Sequence, residues 1–249
     1  MLCRPTSPST SATYQQSSRT TPRLLAIDPQ NRLLARGPRF RTDAELVRDI
    51  VLTASGLVHL TIGGPSTFPP VPDSVLNDTF ARPDYWQVPE GPERYRRSLY
   101  IFRKRSMPDP VLASFDAPNA DFACARRLRS NTPLASLVSL NEPVFVEAAR
   151  AMALRVLRND SSTDQQRADY AFRLCTGRRP EQAERAEVLA LLQSRRRQLA
   201  DRTEIINQIT TGDTEKSPVP PRNTTAADLA VWTITARVLL NLDETLTKN

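Results

Sequence analysis

The chain of 249 residues is poor in the residue types that carry most enzyme chemistry. It has one histidine, His59, and three cysteines, Cys3, Cys124 and Cys175. A serine or cysteine nucleophile needs a base within reach. The single histidine lies in Gly-Leu-Val-His-Leu (56–60), just past an apolar helix, and reads as a turn residue rather than a general base. No HExxH, CxxC, CxxCH or carboxylate ladder occurs, so no metal site and no cofactor is expected in this chain. The cysteine spacings match no disulfide framework. Cys124 and Cys175 read as small buried hydrophobes, with one bridge between them left open. No apolar run approaches the roughly 18 residues of a membrane helix. The first twenty residues lack a secretory h-region, so a chain starting at Met1 as written is expected in the cytoplasm.

Lysine and glycine are scarce too. Of 34 basic residues only Lys104, Lys216 and Lys248 are lysine, leaving 31 arginines. Seven glycines against 21 prolines exclude collagen-like and glycine-linker classes. With 27 acids the net charge is +7 and the pI about 9.8. The excess sits at the front, where residues 1–41 carry seven arginines against Asp28 alone, and again in Arg94–Arg105 and Arg126–Arg129. A guanidinium forks onto carboxylates or phosphates, so it serves nucleic acid or internal ion pairs.

What is present is mostly helical pattern. Residues 1–22 are Ser/Thr-rich and read as an extended arm, and 23–249 as one mainly α domain with few or no strands. Residues 43–56 place Leu46, Ile50 and Ala54 on one face before a glycine stop. Residues 59–94 form a proline-rich excursion that excludes long helices. Tyr95–Arg105 leans to helix, with a strand left open. Thr132-Pro133 opens a short helix; Asn141, with Pro143 in the first turn, opens a longer one to about Arg158. Asp164 to Cys175 and Pro180 to about Ile209 form an αα-hairpin around a Gly-Arg-Arg-Pro corner. A linker over 211–223 leads to a last helix from Thr225, apolar on two faces and therefore central.

Two constellations invite function. The helix–corner–helix at 164–209 would suit nucleic acid if its arginines shared a face. Arg195, Arg196 and Arg197 are consecutive, however, and fan around the helix at about 100° each, so nucleic acid is disfavoured as a partner. The better cluster is Tyr100, Arg103, Asp116, Arg126, Arg127 and Asn131, with Asp116 in a Ser-Phe-Asp-Ala-Pro turn that could receive an arginine fork. It reads either as an ion-pair lattice or as a ligand pocket. Gly63-Gly-Pro-Ser66 reads as a turn, and Asn241, Asp243 and Glu244 as caps and pairs.

Several segments carry a resemblance: SATYQQSSR (11–19), NRLLARGPRFR (31–41), GGPS (63–66), RRSLYIFRKRSMPDPVLASFDAP (96–118), NTPLASLVSLNEPVFVEAAR (131–150) and LLNLDETLT (239–247). Together they resemble the C-terminal domain of unknown function, numbered fifteen fifty-three, of planctomycete surface proteins. The resemblance implies the end of a large exported protein whose upstream region is similar to a cytochrome c domain, where any haem would lie. It implies no catalytic residues. Thr-Pro-Leu-Ala-Ser-Leu (132–137) departs from the TPLQAL that relatives often show, and Met1 falls inside the family domain, so the chain reads as a C-terminal fragment. The function expected is a structural or interaction module whose partner is that upstream domain or another surface protein. The alternative is a polysaccharide hydrolase working through Asp116 and its arginines.

Overall fold

The computed structural model describes residues 10–71, 86–159, 163–211, 221 and 224–248. The start of the expected arm (1–9), the middle of the proline-rich excursion and most of the 211–223 linker lie outside them. Among the described residues the chain is mainly helical. Its strand content is one two-residue antiparallel pair, β1 (Phe40–Arg41) against β2 (Thr247–Lys248), with Phe40 opposite Lys248. This pair ties the front of the chain to its end. No described helix is long and apolar enough to cross a membrane.

Cap-then-proline cues set many of the helix starts. Thr21, Asp109 and Thr132 each accept an amide hydrogen bond and precede a proline at the first helical position. They open α1 (Pro22–Ile27), α3 (Pro110–Ser114) and α4 (Pro133–Asn141); α2 spans Ala44–Ser55. Proline there removes a donor that would have no partner in any case. Gly56 closes α2 in the left-handed region at φ +83°, where a Cβ would be strained. The helix start expected at Asn141 is corrected by one residue. Glu142 is the cap of α5 (Pro143–Arg158), and Asn141 closes α4. The residue before a proline is pushed out of the α region, and Glu142 sits at φ −68°, ψ 137°.

The αα-hairpin forms as expected, from α6 (Asp164–Thr176) and α7 (Gln182–Leu199), with Gly177 left-handed at the corner. The helix expected to run on to Ile209 breaks at Ala200–Arg202 and resumes as α8 (Thr203–Thr211). The break lets Ile206 and Thr210 turn into the core, whereas the polar run 195–202 has only Leu199 to hold a straight extension there. The last helix, α9 (Ala226–Leu240), opens with a Thr225/Asp228 capping box and runs through the middle of the molecule, with Trp232 1% exposed. It packs on α5, α7 and α8, while α2 packs on α5. Its buried hydroxyls stay satisfied, because Thr233 and Thr235 donate to the carbonyls of Leu229 and Val231. A short α10 (Asp243–Leu246) then leads into β2.

Tyr95–Arg105 is neither a helix nor a strand. It follows a 3-10 turn at Gly91–Tyr95 and holds a second one, Ser98–Tyr100, with isolated bridges at Arg96, Ile101 and Lys104. Its backbone groups find lateral partners in place of i→i+4 ones. His59 N–H donates to the Tyr95 carbonyl, Thr67 N–H to that of Tyr100, and Phe102 N–H to that of Thr67.

Candidate functional site

The charged residues assemble from α2 outward. Arg48, 3% exposed, donates to the carbonyls of Arg96 (2.7 Å) and Arg94 (3.1 Å). Its neighbour Asp49 accepts from Arg97 Nε (3.0 Å) and Ser98 N–H (2.7 Å). From α5, Glu147 receives both Nε (3.0 Å) and Nη2 of Arg94, and the Tyr95 hydroxyl at 3.1 Å. Burial first, then the Glu147 charge, pushes the Tyr95 phenol up to about 12. Arg96, 2% exposed, donates to the carbonyls of Gly63 and Pro65. Its guanidinium lies 4.0 Å from the centroid of the Tyr100 ring. The Gly-Gly-Pro-Ser turn, with Gly63 and Gly64 both at positive φ, thus folds around a buried arginine.

The six residues singled out from the sequence fall into different places. Tyr100 belongs to the Arg96 stack and accepts a hydrogen bond from Gly63 N–H (3.0 Å). Arg103 and Arg127 converge on Glu45 of α2, the latter through Nη1 at 2.7 Å. Burial raises the Glu45 carboxyl, but hydrogen bonds from Arg127 and Arg103 outweigh it, and the net shift is downward. Asp116 stands apart at φ +62°, taking Arg41 on one side and Ser130 N–H (2.7 Å) and Oγ (2.8 Å) on the other. Burial again acts upward there, and Ser130 with Arg41 brings the group below the usual carboxylate range. Arg126 and Asn131 are exposed. Asn241 accepts from Ser139 Oγ (2.7 Å), Asp243 pairs with Arg39, and Glu244 receives a two-pronged fork from Arg178 (2.7 and 2.6 Å).

Three further arginines finish helix ends that no glycine closes or that need a second partner. Arg155 Nη1 reaches the carbonyls of Thr53 and Ala54 at the end of α2, at 3.1 and 2.9 Å. Arg150 Nε reaches the Ile209 carbonyl at the end of α8, and Arg237 that of Leu140 at the end of α4. His59 sits between Thr61 Oγ1 (2.8 Å from Nε2) and Glu93 (3.3 Å from Nδ1), in an isolated parallel bridge to Arg96 where the sequence suggested a turn. The bridge left open between Cys124 and Cys175 is not formed. Both are free, Cys124 exposed and Cys175 buried on α6 with its thiol pushed up to about 12 by burial.

A different pair of carboxylates faces a hollow. Asp109 and Glu142, the caps of α3 and α5, line a cleft of about 330 Å³ whose other walls include Pro70, Val111, Leu137 and Val138. Asp109 Oδ1 accepts from Leu112 N–H (2.8 Å) and Glu142 Oε2 from Phe145 N–H (3.1 Å). Burial is the main reason that Glu142 rises to about 7, with Asp109 and Glu147 adding repulsion and the Phe145 amide and Arg48 opposing it. Asp109 is raised as well, again by burial. Sequence reasoning missed this pair. The available signal was an acid directly before proline, in Asp109-Pro110 and Glu142-Pro143, since both must cap a helix.

Residues 9–192 match the family described as "PSD1: Protein of unknown function (DUF1553)". The chain belongs to this family. No curated protein and no solved structure matches it. The PSD1 match ends within α7, so the closing helices α8 to α10, including the central α9, lie beyond the matched span. All six singled-out residues and both cleft carboxylates fall inside it.

Proposed function

We propose that this PSD1 chain is a non-catalytic structural and interaction module, the C-terminal part of an exported planctomycete surface protein. Its partner is an upstream region similar to a cytochrome c domain, or another surface protein, and any haem belongs to that upstream region. The observation that carries the reading is that the acids of the arginine-rich cluster already have their oxygens engaged. Asp116 has its oxygens taken by Arg41 and Ser130. Glu45, Asp49 and Glu147 are likewise held by arginines. A carboxylate so bonded holds a loop well and is a poor proton donor or nucleophile, because its lone pairs and its charge are already engaged.

The test is a panel of chromogenic glycosides, esters and peptides given to the chain and to Asp116→Asn. Equal background rates with a lower midpoint of unfolding for Asp116→Asn are expected. Turnover that this single change abolishes would establish the hydrolase instead. Co-elution of the chain with its separately produced upstream region tests the partner, and separate elution at micromolar concentration would remove it.

A further inference from the structure

We infer that the cleft between α3, α4 and α5 binds a primary ammonium group carried on a short apolar stem, received by Asp109 and Glu142. The cleft walls are apolar except for these carboxylates and Asn141. At about 330 Å³ the space lies at the small end of ligand pockets, which suits one alkylamine or one lysine side chain.

The charge arrangement selects the head group. Asp49 is paired with Arg97, and Glu147 with Arg94. Arg103, which also acts on Asp109, is bonded to Glu45. That leaves Arg48 on α2 as the cation facing both Asp109 and Glu142 among the described residues. Its N–H groups point to the carbonyls of Arg94 and Arg96, so it supplies charge to the pair without hydrogen bonds. Two carboxylates against one such cation leave one negative charge in excess. At neutral pH a proton shared into Glu142, which titrates near 7, offsets part of it. Of the Glu142 oxygens, Oε2 takes the Phe145 amide and Oε1 has no donor among the described residues. An ammonium brings three donors and a full charge in place of that proton, while its stem covers Val111, Leu137 and Val138. Binding therefore ionises Glu142 and releases a proton. An alcohol of the same size brings one donor and no charge, and a carboxylate is repelled by Asp109.

The test is calorimetric titration of the full chain at pH 7 with n-butylammonium, n-butanol and butyrate, in two buffers of different ionisation enthalpy. Saturable butylammonium binding in the millimolar range is expected, about tenfold or more tighter than butanol, with a fraction of a proton released and no butyrate binding. Glu142→Gln keeps an acceptor for the Phe145 amide, and should weaken binding about tenfold and abolish proton release. Butanol binding as tightly as butylammonium, no saturation by about 50 mM (well above that range), or an unaffected Glu142→Gln would each overturn the proposal. Should that variant fail to fold, carboxyl-carbon NMR of the parent decides. Saturating butylammonium must move the Glu142 titration downward by roughly one unit, as an adjacent cation does; an unmoved midpoint overturns it. A side-by-side titration with N-acetyl-lysine-N-methylamide assigns the source. Tighter binding than butylammonium points to a protein lysine, and weaker binding to a free amine.

Discussion

Arg96→Ala is the sharpest perturbation of the arginine lattice. Arg96 is 2% exposed and donates to three carbonyls, those of Gly63, Pro65 and, more weakly at 3.4 Å, Thr61, while stacking on Tyr100 at 4.0 Å. A hydrogen bond from a charged donor is worth about 1.5–3 kcal/mol, and a desolvated cation–π contact about 0.5–2. The Gly63–Gly64 turn is exposed, so water recovers part of the lost bonding, and the net cost comes to about 3 kcal/mol. That is a large share of the roughly 5–15 kcal/mol a domain has. Urea unfolding followed by circular dichroism should show the midpoint falling by about 1 M with an unchanged slope, taking a slope near 3 kcal/mol/M for a chain of this size. Arg96→Lys keeps the charge but not the fork or the planar stack, and should recover less than half of the loss. Arg126→Ala, at an exposed position, serves as the control and should stay within about 0.5 kcal/mol. A loss under about 1 kcal/mol for Arg96→Ala, or full rescue by lysine, would refute the view that these guanidiniums hold loop to scaffold.

Two other outcomes follow from the titrating groups. Between its ordinary 4.5 and about 7, Glu142 keeps a proton in the folded state that the unfolded chain has lost. Stability therefore falls as pH rises through that window. Glu142→Gln should flatten the fall by on the order of 1–3 kcal/mol in urea unfolding at pH 4.5 and 7; an unchanged slope would place the carboxyl in water. Glu45, Asp116 and Glu184, all lowered, act with the opposite sign. Their contribution is present above the ordinary carboxylate range and is lost on acidification through their depressed values. For the thiols, peptide mapping after native alkylation at pH 8 should find Cys124 modified and Cys175 intact until the chain is unfolded, because Cys175 is buried and titrates near 12. Rapid native labelling of Cys175 would contradict its place on the buried face of α6.

The elements that could be read from the sequence are those whose signal is local. α2, α4, α6 and α9 follow from caps, prolines and apolar spacing, and the two-faced pattern of α9 points to its central position; in α2 the buried face is that of Val47 and Val51, while Leu46 of the expected face is 44% exposed. α1 carries the same Thr-Pro cue as α4 at the border of the arm, but it has no buried residue to mark it. The turns over 91–100 were beyond reach for a different reason. Their conformation depends on Arg48, Asp49 and Glu147, which lie some 50 residues away in sequence and on two separate helices. Arg103 stands out in the sequence by residue type, and Asp116 by its Ser-Phe-Asp-Ala-Pro turn. Which acid each arginine meets is a long-range fact: Glu45 on α2 meets Arg103, 58 residues away, and Arg41 in β1 meets Asp116, 75 residues away. The carboxylates that do face a hollow, Asp109 and Glu142, belong to none of the constellations the sequence offers, and the cap before Pro143 reads from the sequence as Asn141.

The near absence of lysine acquires a physical meaning from the geometry. Arg48 bridges two loop carbonyls and Arg96 three, Arg155 bridges two helix-terminal carbonyls, Arg94 grips one carboxylate with two nitrogens, and Arg178 spans Glu184 and Glu244. In each case a planar fork with donors pointing in several fixed directions joins two chain segments at once. An ammonium concentrates its charge at one point and is strongly hydrated. In the buried positions of Arg48 and Arg96 a lysine would leave one carbonyl unpaired and bring a heavier desolvation cost. Segments with little regular hydrogen bonding, such as 57–71 and 91–109, need side chains to satisfy their backbone groups. A fold that keeps so much irregular chain against a helical core therefore draws on the cation whose planar fork holds two acceptors in fixed directions from a single buried position.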